Sequence, residues 1–224
     1  MISERLEDVN KKINAAAERG GYNPGEITMV AVTKTVAAEV IEEAYAAGLV
    51  NFGENRLQDA LPKIKALPSA IKWHFIGYLQ TNKVRDVLNN FAMIHSLDRM
   101  SLAEALEKKA NNLNIKIPVL VQVNTSGEVS KAGIAPFEAE DFLSALKGFR
   151  HLEVQGLMTM APFTQNPEEA RPFFRKLREI REEVEIPGID LKYLSMGMSN
   201  DYEVAVEEGA NIIRLGTTLF GERE

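Results

Sequence analysis

The sequence repeats one unit, a short apolar run followed by an amphipathic stretch with helical periodicity. Eight apolar runs have the length and composition of buried strands, at residues 27–33, 49–52, 72–76, 92–95, 117–123, 152–158, 191–194 and 211–215. Each run except the last is followed by a helical stretch. Eight such units in one chain are typical of a closed (β/α)8 TIM barrel. The main rival is an open doubly wound sheet, but the glycine-rich fingerprint expected after its first strand is missing.

An additional helix is expected before the first strand. Apolar residues recur there at helical spacing, at Ile2, Leu6, Val9, Ile13 and Ala16. Gly20 and Gly21 then end the pattern. The chain has 224 residues, slightly short for a TIM barrel, and it contains no linker, low-complexity segment or large insertion. We therefore predict an α/β fold with one domain, residues 1–224, in which a single (β/α)8 barrel follows an N-terminal helix.

Composition and charge exclude several classes of function. The net charge is −6 and the pI is about 5.3, without a basic cluster, so nucleic acid is not expected as a partner. The chain has no cysteine, and its three histidines lack metal-ligand spacing, so no metal site is expected. His74 is expected to be a packed, hydrogen-bonded core residue. No segment resembles a signal peptide or a membrane span, which predicts a cytoplasmic protein.

Two strand ends carry the residues that suggest chemistry. Lys34 follows the first strand, and Gly216 and Thr217 follow the last one, directly after Arg214 and Leu215. In a TIM barrel these ends meet at the mouth that holds the active site. A lysine amine that forms an imine and a small-residue loop that holds a phosphate are what pyridoxal phosphate requires. On residue type alone, Lys34 has an alternative as a solvated surface lysine and Arg214 one as a structural ion pair with a glutamate.

The loop after the seventh strand is a second candidate for phosphate binding. Ser199 and Asn200 are predicted N-caps of the helix that follows, and free N–H groups at a helix start attract anions. The loops after the seventh and eighth strands are where this fold most often holds a phosphate. The alternative is that Gly197 and Gly216 serve only as turn residues.

Short motifs along nearly the whole chain resemble one family, the pyridoxal phosphate homeostasis proteins, which are related to the N-terminal barrel of alanine racemase. The motifs, in order, are Ala31-Val32-Thr33-Lys34, Phe52-Gly53-Glu54-Asn55, Trp73-His74-Phe75-Ile76-Gly77, Leu79-Gln80-Thr81-Asn82-Lys83, Val123-Asn124, Ser130-Lys131-Ala132-Gly133, Gly156-Leu157-Met158, Ser195-Met196-Gly197-Met198-Ser199, Arg214-Leu215-Gly216-Thr217 and Phe220-Gly221. Several of them are long enough to be specific, and their order makes coincidence a poor explanation.

The resemblance implies a role for each candidate residue. Lys34 would form the aldimine with pyridoxal 5′-phosphate, and Arg214 would face the pyridine nitrogen and keep it unprotonated, which weakens the cofactor as an electron sink. Lys131 would lie near the phenolic side of the cofactor and Asn55 near its ring. The phosphate would be held by Met198, Ser199, Gly216 and Thr217.

The resemblance favours a binding protein over an enzyme. Alanine racemases use a tyrosine from an additional C-terminal domain as their second base, and this chain stops after the eighth strand. We therefore expect a monomer without catalytic residues that stores pyridoxal phosphate and hands it to apo-enzymes, with Lys131 helping transfer. One alternative is a small, racemase-like pyridoxal phosphate enzyme that acts on amino acids with Lys34 as its only base. A more distant one is a Schiff-base aldolase that uses Lys34 directly on a sugar phosphate.

Overall fold

A computed structural model describes residues 1–221 as a closed barrel of eight parallel strands. The strands are β1 Thr28–Val32, β2 Asn51–Glu54, β3 Lys72–Phe75, β4 Met93–Leu97, β5 Ile117–Gln122, β6 Leu152–Met158, β7 Tyr193–Met198 and β8 Ile212–Leu215. Strand β1 pairs with β2 on one side and with β8 on the other, which closes the barrel. The predicted TIM barrel is confirmed and the open sheet is excluded. The last three residues of the predicted domain 1–224 lie outside the described residues.

Helices alternate with the strands on the outside of the barrel. Within residues 1–221 they are α1 Ile2–Gly20, α2 Ala38–Ala46, α3 Leu57–Ala66, α4 Val84–Asn90, α5 Met100–Leu113, α6 Ala139–Leu146, α7 Arg171–Glu183, α8 Tyr202–Glu207 and α9 Thr217–Phe220. Helix α1 is the predicted N-terminal helix, and it ends at Gly21 in the left-handed conformation.

The strands bury side chains on both of their faces. Inside the barrel, one apolar cluster joins β1 and β8 to β4, β5 and β6 on the other side, through Val30, Met93, Leu120, Met158 and Ile212. A much larger cluster lies between the outer faces of the strands and the helices. Fully burying each such side chain stabilises the fold by roughly 1.5–3 kcal/mol. Because both faces are buried, the strands read as continuous apolar runs rather than as alternating patterns.

A network of ion pairs joins α7 and α8 and reaches α1. Glu208 is only 3% exposed and accepts hydrogen bonds from Arg171 at 3.1 Å and Arg175 at 3.0 Å. Glu207 accepts from Arg171 and, at 2.6 Å, from Arg19 of α1. Burial raises the pKa of both carboxyl groups, but the hydrogen bonds from the arginines outweigh burial and leave each pKa below its ordinary value. This network fixes α1 against α7 and α8, the helices that follow β6 and β7.

Candidate functional site

A cavity of about 460 Å³ opens at the carboxyl ends of the strands. Seven of the eight predicted site residues line it: Lys34, Asn55, Met198, Ser199, Arg214, Gly216 and Thr217. They come from four different strand ends and therefore meet only because the barrel closes. Val32, Ile76 and Met160 supply apolar wall. A small-molecule site of this kind combines an apolar lining with a few polar groups that fix orientation.

The backbone around Lys34 is held in an unusual conformation. Lys34 follows β1, and Thr35, directly after it, has a φ of 65°. A β-branched residue rarely adopts this left-handed region, and such strain is concentrated at functional sites. Lys34 takes part in none of the ion pairs found within residues 1–221. Its amine is therefore available to a ligand in the cavity.

A buried ion pair between Glu54 and Lys63 holds Thr33, the residue before Lys34, in place. Thr33 donates its hydroxyl hydrogen to Oε1 of Glu54 at 2.6 Å, and Lys63 Nζ donates to the same oxygen at 2.7 Å. Lys63 Nζ also donates to the main-chain oxygen of Thr33 at 2.7 Å. Glu54 is fully buried. The residue before Lys34 is thus fixed through both its side chain and its main chain.

Arg214 forms the cationic floor of the cavity. It is 4% exposed, and its two terminal nitrogens donate to Ser195 Oγ at 2.5 Å and to the main-chain oxygen of Thr159 at 2.8 Å. Burial lowers the pKa of Arg214 to about 10, and the nearby Asp201 carboxylate opposes the shift. The guanidinium therefore stays protonated at neutral pH. The alternative of an ion pair with a glutamate is wrong for the described part of the chain, because both partners of Arg214 are neutral oxygens.

The loops after β7 and β8 are joined at the cavity wall by Ser199. Its Oγ accepts hydrogen bonds from the main-chain N–H groups of Gly216 at 3.1 Å and Thr218 at 3.2 Å. The N-cap of α8 is Asp201, so the prediction that Ser199 or Asn200 caps this helix is wrong. The Ser199 hydroxyl instead fixes the neighbouring loop. Within residues 1–221, the N–H groups of Ser199, Asn200 and Thr217 have no acceptor and remain available to an anion.

Gly197 makes this loop geometry feasible. Its φ is 92°, and a Cβ at this position would lie 2.6 Å from Cβ of Ala205. A side chain would therefore be strained by the backbone and would collide with α8. Gly197 is more than a turn residue, because it sets how closely the loop packs on that helix.

Lys131 lies beside the cavity but does not line it. Its Nζ lies 3.6 Å from Glu128 Oε2 and donates to the main-chain oxygen of Met160 at 3.4 Å. Met160 and the neighbouring Ala132 line the cavity, so the Lys131 amine contacts a lining residue although Lys131 itself does not line the cavity.

Asp201 is a cavity residue that the sequence does not predict. It is 5% exposed, and its Oδ1 accepts the Met198 N–H at 2.6 Å. Burial raises its pKa despite the hydrogen bond from Met198 and the positive charges of Arg214 and Lys131. No sequence signal distinguishes such a carboxylate from an ordinary one at a helix start. Only the closed barrel places it beside Arg214.

Two further kinds of site have no support in the described residues. Residues 1–221 contain no group of three or more histidine, aspartate or glutamate side chains suited to a metal ion. None of the helices described above is long and apolar enough to cross a membrane.

Fold and cavity together define a barrel of the alanine racemase N-terminal class, and the family model "Alanine racemase, N-terminal domain" matches residues 8–224. The chain is 46% identical over 223 residues to the pyridoxal phosphate homeostasis protein of Aquifex aeolicus, covering 99% of this chain and 98% of that one. It is 40% identical to the protein of the same name from Pseudomonas aeruginosa, covering 100% and 96%. The chain belongs to the pyridoxal phosphate homeostasis protein family.

Solved structures agree with this assignment. The structure of PipY from Synechococcus elongatus with pyridoxal phosphate bound is 36% identical, with a TM-score of 0.84 and coverage of 99% of this chain and 100% of that chain. An alanine racemase from Clostridium difficile superposes with a TM-score of 0.73 at 14% identity. It covers 98% of this chain and only 57% of that chain, so the likeness to it is one of fold.

Proposed function

We propose that this protein binds pyridoxal 5′-phosphate through Lys34 and serves in vitamin B6 homeostasis without catalytic turnover. The observation that carries the proposal is one cavity with a lysine amine, a buried guanidinium and a set of N–H groups that have no acceptor within residues 1–221. These are the three groups that an aldehyde, a pyridine nitrogen and a phosphate need as partners. The binding of pyridoxal phosphate by PipY, a relative of full length, supports the same ligand.

Each part of the cavity suits one part of the cofactor. The N–H groups of Ser199, Asn200 and Thr217 would hold the phosphate, with Met198 and Gly216 shaping the loops. Asn55 would lie near the ring, because its buried Oδ1 has no hydrogen-bond partner within residues 1–221. When bound, pyridoxal phosphate supplies an aldehyde for amines and an electron sink for negative charge.

Arg214 favours carriage over catalysis. Its pKa of about 10 keeps the guanidinium protonated, so it can only donate hydrogen bonds. A ring nitrogen facing it would accept such a bond and stay unprotonated, which weakens the cofactor as an electron sink.

A racemase-like amino-acid enzyme is the second candidate, and Tyr78 is the observation that favours it. Tyr78 lines the cavity, where a second base would have to lie. Yet its side chain is 58% exposed and packs against Arg99, whose guanidinium carbon is 4.6 Å from the ring centroid. Exchange of the α-proton of an amino acid with solvent deuterium would support the enzyme, and its absence across a broad amino-acid panel would support the carrier.

The partners that we propose are cytoplasmic apo-enzymes that take up pyridoxal phosphate, with the carrier acting as a monomer. Apolar surface at the rim of the cavity supports docking of another protein there, since Phe163 lines the cavity and is 83% exposed. Transfer of radiolabelled cofactor to an apo-enzyme, faster than by release into free solution, would test the proposal.

The experiment that tests the proposed function is borohydride reduction of the loaded protein followed by peptide mass mapping. We expect a pyridoxyl phosphate adduct on the Lys34 peptide, and we expect the Lys34→Ala variant to lose it. Lys83 lies in the loop after β3, and the control variant Lys83→Ala should retain the adduct. An unmodified Lys34 after incubation with excess cofactor would contradict the proposal. It would favour the Schiff-base aldolase, which is colourless and is trapped by borohydride only with its substrate present.

A further inference from the structure

A continuous chain of hydrogen bonds runs through the barrel interior and ends on Arg214. Asn51 Oδ1 lies 3.2 Å from Nε2 of His74, and Nδ1 of His74 lies 2.9 Å from Nε2 of His95. Nδ1 of His95 lies 2.9 Å from Ser195 Oγ, which accepts the hydrogen bond from Arg214. This row of hydrogen bonds thus connects β2, β3, β4, β7 and β8.

Both histidines are buried, and within residues 1–221 neither has a carboxylate partner. His95 is fully buried and His74 is 5% exposed. Burial, assisted by the charge of Lys72, lowers the pKa of His74 to about 4. Burial likewise lowers the pKa of His95 well below its ordinary value, with further contributions from His74 and Arg214. Two neutral imidazoles therefore lie between Asn51 and Ser195 at neutral pH.

The groups at the two ends of this row of hydrogen bonds, Asn51 and Arg214, determine which atom donates in each bond. Asn51 Oδ1 is an acceptor, so neutral His74 carries its hydrogen on Nε2 and accepts at Nδ1. His95 must then donate from Nε2 and accept at Nδ1. The hydroxyl hydrogen of Ser195 therefore points to His95, which leaves the lone pairs of Oγ for Arg214.

We propose that His74, His95 and Ser195 are positioning residues that hold the Arg214 guanidinium in one orientation at the cavity floor. Because the Ser195 hydrogen is committed to His95, Oγ faces Arg214 only as an acceptor. The guanidinium therefore cannot rotate away without leaving buried polar atoms unpaired. The hydrogen-bond chain itself is independent of any ligand. Its consequence for the bound cofactor rests on the proposed function.

The first test measures the tautomers of the histidines in the cofactor-free protein by ¹⁵N NMR. The protein has only three histidines, so their NMR signals can be assigned directly. His151, which pairs with Glu107 outside the barrel interior, is the internal reference. We expect His74 and His95 to be neutral with hydrogen on Nε2 from about pH 6 to pH 8. Hydrogen on Nδ1 of either ring, or a protonated ring in this range, would overturn the proposal.

The second test compares two buried serines. Ser195→Ala removes the link to Arg214, whereas Ser96→Ala removes a buried hydroxyl on β4 that has no hydrogen-bond partner within residues 1–221. We expect Ser195→Ala to weaken pyridoxal phosphate binding about tenfold, the change that about 1.4 kcal/mol represents. It should also shift the absorption maximum of the bound cofactor, while Ser96→Ala changes neither.

A further variant separates positioning from a general loss of structure. Ser195→Thr restores the hydroxyl, and we expect it to return the wild-type absorption maximum and the His95 tautomer. Wild-type binding and an unchanged spectrum in Ser195→Ala would overturn the proposal. If the wild-type protein binds no cofactor, the proposed function fails, and the tautomers in the cofactor-free protein still decide whether the hydrogen-bond chain is correctly described.

Discussion

Lys63 reaches from α3 to the fully buried carboxylate of Glu54, with 2.7 Å between Nζ and Oε1. The same ammonium binds the main-chain oxygen of Thr33, so one side chain neutralises a buried charge and fixes the residue that precedes Lys34. An ion pair of this kind is costly to break, because the remaining partner stays charged in a medium of low polarity.

We therefore predict that Lys63→Met lowers the free energy of unfolding by about 3–5 kcal/mol, as expected when one partner of a buried pair is removed. Urea denaturation of the cofactor-free protein measures the change. Lys65→Met is the matched control, because Lys65 lies on the same helix, is exposed and takes part in no ion pair within residues 1–221. Equal stabilities of the two variants would show that the Glu54–Lys63 pair contributes nothing.

Gly197→Ala is expected to destabilise the protein and to weaken cofactor binding. The new Cβ would lie 2.6 Å from Cβ of Ala205 and 3.0 Å from Cα of Tyr202, so the loop carrying Ser199 must shift. Gly188 also has a positive φ, 91°, but a Cβ there would meet no atom within 4 Å. Gly188→Ala thus measures backbone strain alone, about 1–3 kcal/mol. Thermal unfolding and cofactor titration should show a larger loss for Gly197→Ala in both measurements.

The Glu207 and Glu208 network should make stability depend on acid pH. Both folded-state pKa values lie below the ordinary carboxyl value of 4.5, so the unfolded chain takes up protons before the folded one does. This stabilisation is fully present above that value and is lost as the pH falls through the lower folded values.

Glu208→Gln should accordingly flatten the decline in stability between about pH 5 and pH 3. Buried His74 and His95 also oppose folding in acid, but they are present in both proteins, so the difference between variant and wild type isolates the carboxylate. Urea titrations at several pH values provide the measurement. If the free energy of unfolding declined equally with falling pH in the variant and the wild type, the role of Glu208 would be contradicted.

Lys131→Ala should change the rates at which pyridoxal phosphate loads and leaves, with little effect on stability. The Nζ of Lys131 donates to the main-chain oxygen of Met160, which lines the cavity, and its positive charge acts on Asp201. Stopped-flow absorbance measures both rates. Lys192→Ala is the control, because it removes an exposed lysine whose ion-pair partner in the described part of the chain is Asp190. Unchanged rates in Lys131→Ala would exclude a role in transfer.

The sequence predicted the barrel well because both faces of each strand are apolar. The errors fall where a strand continues through polar or small residues that face the interior. The seventh strand was expected to end at residue 194, yet β7 continues through Ser195 and Gly197 to Met198. The second was expected to end at Phe52, yet β2 includes Gly53 and the buried Glu54. Local hydropathy misses such residues, because their burial depends on partners from other elements.

The residues of the candidate site also fall into two groups, those that the sequence predicts and those that it does not. Residues at strand ends, such as Lys34 and Arg214, are predicted from their position and from family motifs, and seven of the eight predicted residues line one cavity. The groups that support them were not found. In the sequence, Lys63 cannot be told from an ordinary helix lysine. His95 contacts His74 only because β4 lies beside β3. Such contacts connect distant parts of the chain, so no local pattern reveals them.

The closure of the barrel also sets the order in which the site forms during synthesis. Strand β8 pairs with β1, and Arg5 of α1 donates to the main-chain oxygen of Leu219, a residue 214 positions further along the chain. Arg214, Gly216 and Thr217 therefore take their places only after β8 and α9 have left the ribosome. A nascent chain that has Lys34 but not yet β8 lacks residues that we propose to hold the phosphate, so on this proposal selective capture of the cofactor begins only after β8 has paired with β1.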